Sequence, residues 1–202
     1  MKIKILLLFI FCFFIKNSES QVLKLNAGIS YSSFSHENID ILDLKIMSPS
    51  FSLSYEYFKK KYFELSSEMA YIQKGGKEND FIINDNNNMI SYTEIKEKFD
   101  YLNLNSTFRF KYPFFNNYVY IGFGPKIDIL LSDNKLNHYK YTLNRILFGF
   151  KPEIGFSQNL NKKINVGLNF SYLWNIGKVG KSEYSDLHNT YYSINFSIGY
   201  IL

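Results

Sequence analysis

Nine ionisable residues carry most of the chemistry this sequence offers: Glu56, Glu64, Glu68, Arg109, Lys126, Asp128, Arg145, Lys151 and Glu153. Each falls on a parity otherwise filled by Ser, Asn, Thr and Gly, while Phe, Tyr, Leu and Ile occupy the other parity. In a narrow interior such charges must pair, because an isolated buried charge is very costly. One reading is therefore a salt-bridged network that holds the fold shut; the sharper one is a narrow ion path or a proton-linked gate. The three histidines, His36, His138 and His188, all lie in long polar segments, with Ser35, Ser185 and Asp186 nearby in sequence. A catalytic or metal cluster would need them to converge. No His-x-x-x-His spacing or acidic ligand run accompanies them, so no catalytic residue, metal or cofactor is assigned. "GFGP" at 122–125 lies within an alternating stretch with no helical pattern after it. It is not a phosphate loop, and its glycines relieve crowding or permit a bend.

The elements that must position these residues share a period of two. In the C-terminal stretch Tyr192, Ile194, Phe196, Ile198, Tyr200 and Leu202 alternate with Ser193, Asn195, Ser197 and Gly199. The same scheme runs through "VLKLNAGISYS", "SFSLSYEYF", "YFELSSEMAYIQK", "YLNLNSTFRFK", "YVYIGFGPKIDILL", "NRILFGFKPEIGF" and "INVGLNFSYLWNI". Alternation predicts strands whose two faces meet different surroundings. Eight strands of about nine to thirteen residues exceed the usual globular length and match the nine to eleven that a tilted membrane strand needs. The links alternate as well. They are short at 59–61, 113–117 and 157–163, and long at roughly 36–48, 75–98, 132–142 and 177–189. That is the construction of an outer-membrane barrel. Both ends of the barrel then lie at the short-turn rim, and the last strand pairs with the first.

Three features place the apolar parity outside. The polar parity is dominated by small residues that suit a crowded lumen. Tyr31, Tyr57, Tyr71, Tyr118, Tyr172, Trp174, Tyr192 and Tyr200 collect near strand ends, as interfacial aromatics do. Twenty Phe and seventeen Tyr cannot all fit inside eight strands, whose interior side chains just fill. The expected fold is all-β, an eight-stranded antiparallel up-and-down transmembrane β-barrel; a soluble lipocalin-like barrel is the alternative. In the long link at 75–98, Phe81, Ile82, Ile83, Met89 and Ile90 exceed what a solvated tip needs. That segment is expected to extend the strands, touch a partner or fold on itself as a hairpin.

The N-terminus supplies the route. Lys2 and Lys4 precede an apolar run from Ile5 to Ile15, and Ser18 and Ser20 stand before Gln21. Residues 1–20 read as a signal peptide and 21–202 as one barrel domain. Loss of Lys2, Lys4, Lys16 and Glu19 lowers 23 basic and 18 acidic residues to 20 and 17, a formal charge of +3. The remaining chain has no cysteine, so its stability must come from the fold itself. The scattered basic excess reads as solvated surface and not as a nucleic-acid interface.

"MAYIQKGGK" at 69–77, "FDYLNLNSTFRFKY" at 99–112 and "YVYIGFGPKIDILL" at 118–131 resemble the PorT-like outer-membrane β-barrel domain family common in Bacteroidota. Where members commonly read YLEIP, this chain reads YLNLN. The resemblance implies an integral outer-membrane barrel of OmpA/OmpX-like architecture, often without an assigned role; a minority of relatives assist a secretion and gliding apparatus. The expected function is non-enzymatic, structural or surface-interactive, and accessory to a secretion system in one form. A small transport or gating barrel is the alternative, and an enzyme sited in the outer loops comes third. Expected partners are outer-membrane lipid, the barrel assembly machinery during insertion, and an envelope or secretion-apparatus protein.

Overall fold

The computed structural model describes residues 21–36, 42–83, 89–133, 142–181 and 186–202. The expected signal peptide, His138 and the "NDNNN" tip at 84–88 lie outside them. Eight long strands form the wall: β1 (Val22–His36), β2 (Ile46–Tyr57), β3 (Phe63–Ile83), β4 (Met89–Phe114), β5 (Asn117–Asp133), β6 (Ile146–Asn159), β7 (Ile164–Tyr172) and β8 (Asp186–Ile201). Each pairs antiparallel with its neighbour in sequence. β1 closes the ring on β8 in one unbroken register, from Val22↔Ile201 to His36↔Leu187. The Leu202 N–H donates to the Gln21 carbonyl at 2.8 Å, so the final strand is held to its end. Closure leaves no sheet edge, the condition for a β-structure to cross a membrane. Three two-residue segments, Thr142–Leu143, Trp174–Asn175 and Gly180–Lys181, prolong the wall at the long-loop rim.

The alternation resolves onto two faces as expected. Leu25 is 68% exposed and its neighbour Lys24 4%; Phe51 is 54% exposed and Ser50 4%. Every long strand presents large apolar side chains outward, among them Phe108, Ile121, Phe148, Leu168 and Ile198. Such a continuous apolar exterior belongs to a hydrocarbon surrounding and not to water.

The strands are longer than the sequence suggested. The long link at 75–98, for which strand extension and a hairpin are among the expected forms, is mostly a hairpin, with β3 and β4 paired from Phe63↔Phe110 to Ile83↔Met89. At about 3.3 Å per residue, the 21 residues of β3 make a path of about 70 Å, roughly twice what a membrane strand needs. Beyond the bilayer the two faces of a hairpin no longer meet hydrocarbon on one side and a crowded lumen on the other. Polar residues such as Lys77, Glu78, Glu94 and Lys96 therefore occupy both parities, and the signature of a half-buried strand is lost.

Strand prolines mark interruptions of the ladder, because a proline has no N–H to donate. Pro125 lies where β4–β5 pairing jumps from Asn105↔Lys126 to Phe108↔Phe123. A Cβ on the adjacent Gly124 would stand 1.9 Å from the Ser106 carbonyl oxygen, so only glycine permits that approach. Pro152 lies just beyond the Glu153↔Ser171 end of the β6–β7 ladder. Pro49 sits in a longer gap. β2 pairs with β3 only between Phe51↔Tyr71 and Tyr57↔Leu65, and then again at the single bridge Leu44↔Lys77. Ser32 of β1 stitches this seam from inside: its hydroxyl accepts from the Gly75 N–H at 2.8 Å and donates to the Gly75 carbonyl at 3.0 Å.

Candidate functional site: a two-zone lumen

Inward-facing side chains divide the lumen into two zones. Towards the short-turn rim the filling is ionic. Arg109, on β4, is the hub. Its Nε meets Glu153 at 2.5 Å, and one terminal nitrogen meets Glu56 at 2.8 Å and Glu64 at 3.4 Å. Its guanidinium also lies 4.5 Å over the Tyr120 ring. Each carboxylate has a lysine besides. Lys24 is 2.5 Å from Glu56, Lys111 is 3.0 Å from Glu64, and Lys151 lies 3.2 Å from Glu153 and 2.6 Å from Glu68. Thr107 donates to Glu153 Oε1, and Asn169 donates to Glu153 Oε2 and to the Tyr120 hydroxyl. Four cations (Lys24, Arg109, Lys111, Lys151) thus balance four carboxylates. A second ionic group stands higher. Lys74 donates to Asp128 at 2.5 Å, Lys126 donates to the same carboxylate oxygen, and Asn103 donates to its other oxygen.

Above this the filling turns apolar. Phe34, Ile72, Phe99, Tyr101, Leu147, Leu187 and Tyr191 pack with Leu42 and Val179, which come in from the loops. Tyr101 and Val179 have no exposed surface. The cluster closes the lumen beneath the long-loop rim. Beside Lys24, Glu68 and Arg109 a cavity of about 10 Å³ remains, room for about one water.

Eight of the nine charges singled out from the sequence belong to these groups. Arg145 does not: it is exposed, one residue before β6 begins, and its carbonyl accepts from the Leu130 N–H. Its parity is that of Lys151, but it stands above the closed wall. Lys24, Lys74 and Lys111 complete the pairing and were missed. Lys24 and Lys111 were visible as cations on the polar parity, and Lys74 was hidden in "QKGGK", which reads as a turn.

Among the strand-end aromatics, Tyr31 and Tyr192 stack outside with ring centroids 5.4 Å apart, and Tyr172 is the cross-strand partner of Tyr192. Tyr71, Trp174 and Tyr200 are exposed, and Tyr57 is half-buried with its hydroxyl 3.1 Å from Ser67. Tyr118 is the exception, since it points inward, 6% exposed, with the Lys111 ammonium 5.1 Å from its ring centroid. It shares the parity of Gly122 and Gly124, and nearness to a strand end does not override facing. His188 pairs with Ser35, and His36 with Leu187, in the β1–β8 ladder, so these two are strand residues and not loop residues. Among the described residues no group of three His, Cys, Asp or Glu is placed to hold a metal. At the long-loop rim Lys178 bonds both oxygens of Asp186, and Lys96 bonds Glu94. Each lysine holds its partner's carboxyl below the usual range.

The closed ring, the apolar exterior and a lumen packed with side chains describe a small membrane barrel. The model of the outer membrane protein beta-barrel domain matches residues 5–201. The chain belongs to that family. It is therefore an integral outer-membrane protein, and the short-turn rim is the periplasmic one. No curated protein matches it. Among solved structures, the chain is similar to the Neisserial surface protein A (TM-score 0.58, 9% identity, 93% of this chain and 100% of that one). It is also similar to the outer membrane protein AlkL (0.52, 11%, 92% and 91%). The N-terminal β-barrel domain of Pseudomonas aeruginosa OprF is a third (0.50, 9%, 92% and 100%). At these identities the likeness is one of fold.

Proposed function

We propose that this barrel is non-enzymatic and does its work at its rims, as a surface-interaction or structural protein of the envelope. Residues 1–20 are removed as a signal peptide before Gln21, and the assembly machinery inserts the remainder. The observation that carries the reading is the filled lumen: an ionic zone, a second ionic group and an apolar plug follow one another along its axis, and the cavity beside Lys24, Glu68 and Arg109 has room for about one water. Eight-stranded barrels have interiors just wide enough for this, whereas aqueous pores use sixteen strands or more. Among the described residues, what remains for partners is the β3–β4 hairpin on one side and the turns on the other.

Service to a secretion apparatus is the form favoured by the resemblance to the PorT-like family of Bacteroidota. A photo-reactive residue at Glu94 on the hairpin, compared with one at Asn116 in the β4–β5 turn, separates these forms in intact cells. A protein adduct from Glu94 alone fits surface recognition, and one from Asn116 alone fits a periplasmic machine. No adduct from either, with the barrel folded, sinks the interaction reading. The alternative of a small transport or gating barrel draws on one feature, the β2–β3 seam. Unitary conductance of the purified barrel in a planar bilayer would favour it.

A further inference from the structure

The periplasmic rim carries cations without counter-charges. The turn between β2 and β3 reads Phe58, Lys59, Lys60, Lys61, Tyr62, and that between β6 and β7 reads Leu160, Asn161, Lys162, Lys163. Neither contains an acid, nor does the Phe115–Asn116 turn between β4 and β5. Glu56, the nearest carboxylate, is fully buried and engaged by Lys24 and Arg109. Lys59 leans toward it at 3.9 Å, but Lys60, Lys61, Lys162 and Lys163 are exposed. At the long-loop rim, by comparison, Lys77 and Lys96 pair with Glu94, and Lys178 with Asp186.

Exposed aromatics stand among these lysines. Phe115 is 102% exposed and Phe58 48%, and both hold left-handed backbone, with φ of 52° and 51°. Glycine or asparagine would take that conformation with less strain; Phe58 leans on Phe63, with ring centroids 5.9 Å apart, but the fully exposed Phe115 ring gains nothing in water. A ring that enters an apolar boundary does gain. The Lys60 ammonium lies 5.9 Å over Phe58, so cation and ring share one place. The two lysine pairs are also four strands apart in a ring of eight, on opposite sides of the barrel. A lipid annulus reaches both at once.

We propose that the periplasmic rim is a binding ring for acidic phospholipid headgroups, with Lys60, Lys61, Lys162 and Lys163 on the phosphates and Phe58 and Phe115 inserted at the acyl boundary. A lysine near an anionic surface strengthens association about fivefold, an effect that salt screens.

The test uses the full barrel in bilayers of phosphatidylcholine, with spin-labelled phosphatidylglycerol or phosphatidylcholine as the probe of annular lipid. The expected result is a preference for phosphatidylglycerol of about fivefold at low salt, shrinking in molar salt. It is abolished in K60Q/K61Q/K162Q/K163Q and retained in K96Q/K178Q, with the folded state of each checked by heat-modifiable gel mobility. F58G/F115G keeps the charges and is expected to weaken the preference without abolishing it. Equal association of the two lipids with the wild type overturns the proposal, as does an undiminished preference in the quadruple lysine variant. Lipid indifference together with a lysine-dependent cross-link to an acidic protein also overturns it and makes the rim a protein dock.

Discussion

Arg109→Ala is the most informative perturbation of the lumen. Arg109 serves Glu153, Glu56 and Glu64 at 2.5, 2.8 and 3.4 Å, and none of the three carboxylates has exposed side-chain surface. A buried ion pair adds little net stability over an apolar filling, but removal of one partner typically costs 3–5 kcal/mol. Here each carboxylate keeps at least one lysine: Lys24 and, at 3.9 Å, Lys59 for Glu56, Lys111 for Glu64 and Lys151 for Glu153. That places the loss at the lower end, about 3 kcal/mol, or roughly a hundredfold in the unfolding equilibrium. Urea unfolding in detergent micelles, followed by fluorescence of Trp174, the single tryptophan, measures it. Arg109→Ala combined with Glu153→Gln restores charge balance and should be more stable than Arg109→Ala alone. A loss under about 1 kcal/mol, or a double variant whose effects simply add, would refute the hub assignment.

Three further outcomes are expected. Ser32→Ala leaves the Gly75 N–H and carbonyl without their partner and should cost about 1–3 kcal/mol; amide exchange at Gly75 should quicken while that at Ile198 does not. Gly124→Ala drives a Cβ into the Ser106 carbonyl and should abolish the heat-modifiable folded band or lower stability by about 3 kcal/mol, whereas Pro125→Ala is tolerated. Phe34→Ala with Tyr101→Ala opens the apolar plug, so planar-bilayer conductance should rise above that of the wild type while the ionic zone stays intact; unchanged conductance would mean that the ionic zone alone seals the lumen.

The barrel was legible because its physics is repetitive. Each strand meets hydrocarbon on one face and a crowded lumen on the other, and Leu25 beside Lys24 or Phe148 beside Gly149 records that contrast residue by residue. Legibility fails where the contrast fails. Between Gly75 and Lys98 polar residues such as Lys77, Glu78, Glu94 and Lys96 stand on both parities. The alternation that marks the other strands is missing there, so the sequence leaves strand extension, a partner contact and a hairpin as alternatives. Near the outer end the inward parity changes character. Ile72, Phe99, Tyr101, Leu147 and Tyr191 are apolar on the face that Ser, Asn and charge occupy lower down, and the inversion was there to be read as a plug. Alternation assigns a face but not a height. Arg145 therefore reads like Lys151 although it stands above the wall, and Tyr118 reads as a girdle residue although its parity points it inward. Pairing is further out of reach, because Lys74 and Asp128 are 54 positions apart and meet only across the closed lumen.

The central claim is that the apolar parity faces lipid and the polar parity a sealed interior. Residues 21–202 contain no cysteine, so single cysteines can be placed in turn along β8 from Ser193 to Gly199, spin-labelled, and tested in bilayers for access to oxygen and to a water-soluble nickel chelate. Oxygen access should rise at Ile194, Phe196 and Ile198 and fall at Ser193, Asn195, Ser197 and Gly199, with low chelate access at all seven. Oxygen access without a two-residue period, or chelate access at Ser193, Asn195 and Ser197 as high as in bulk water, would contradict it.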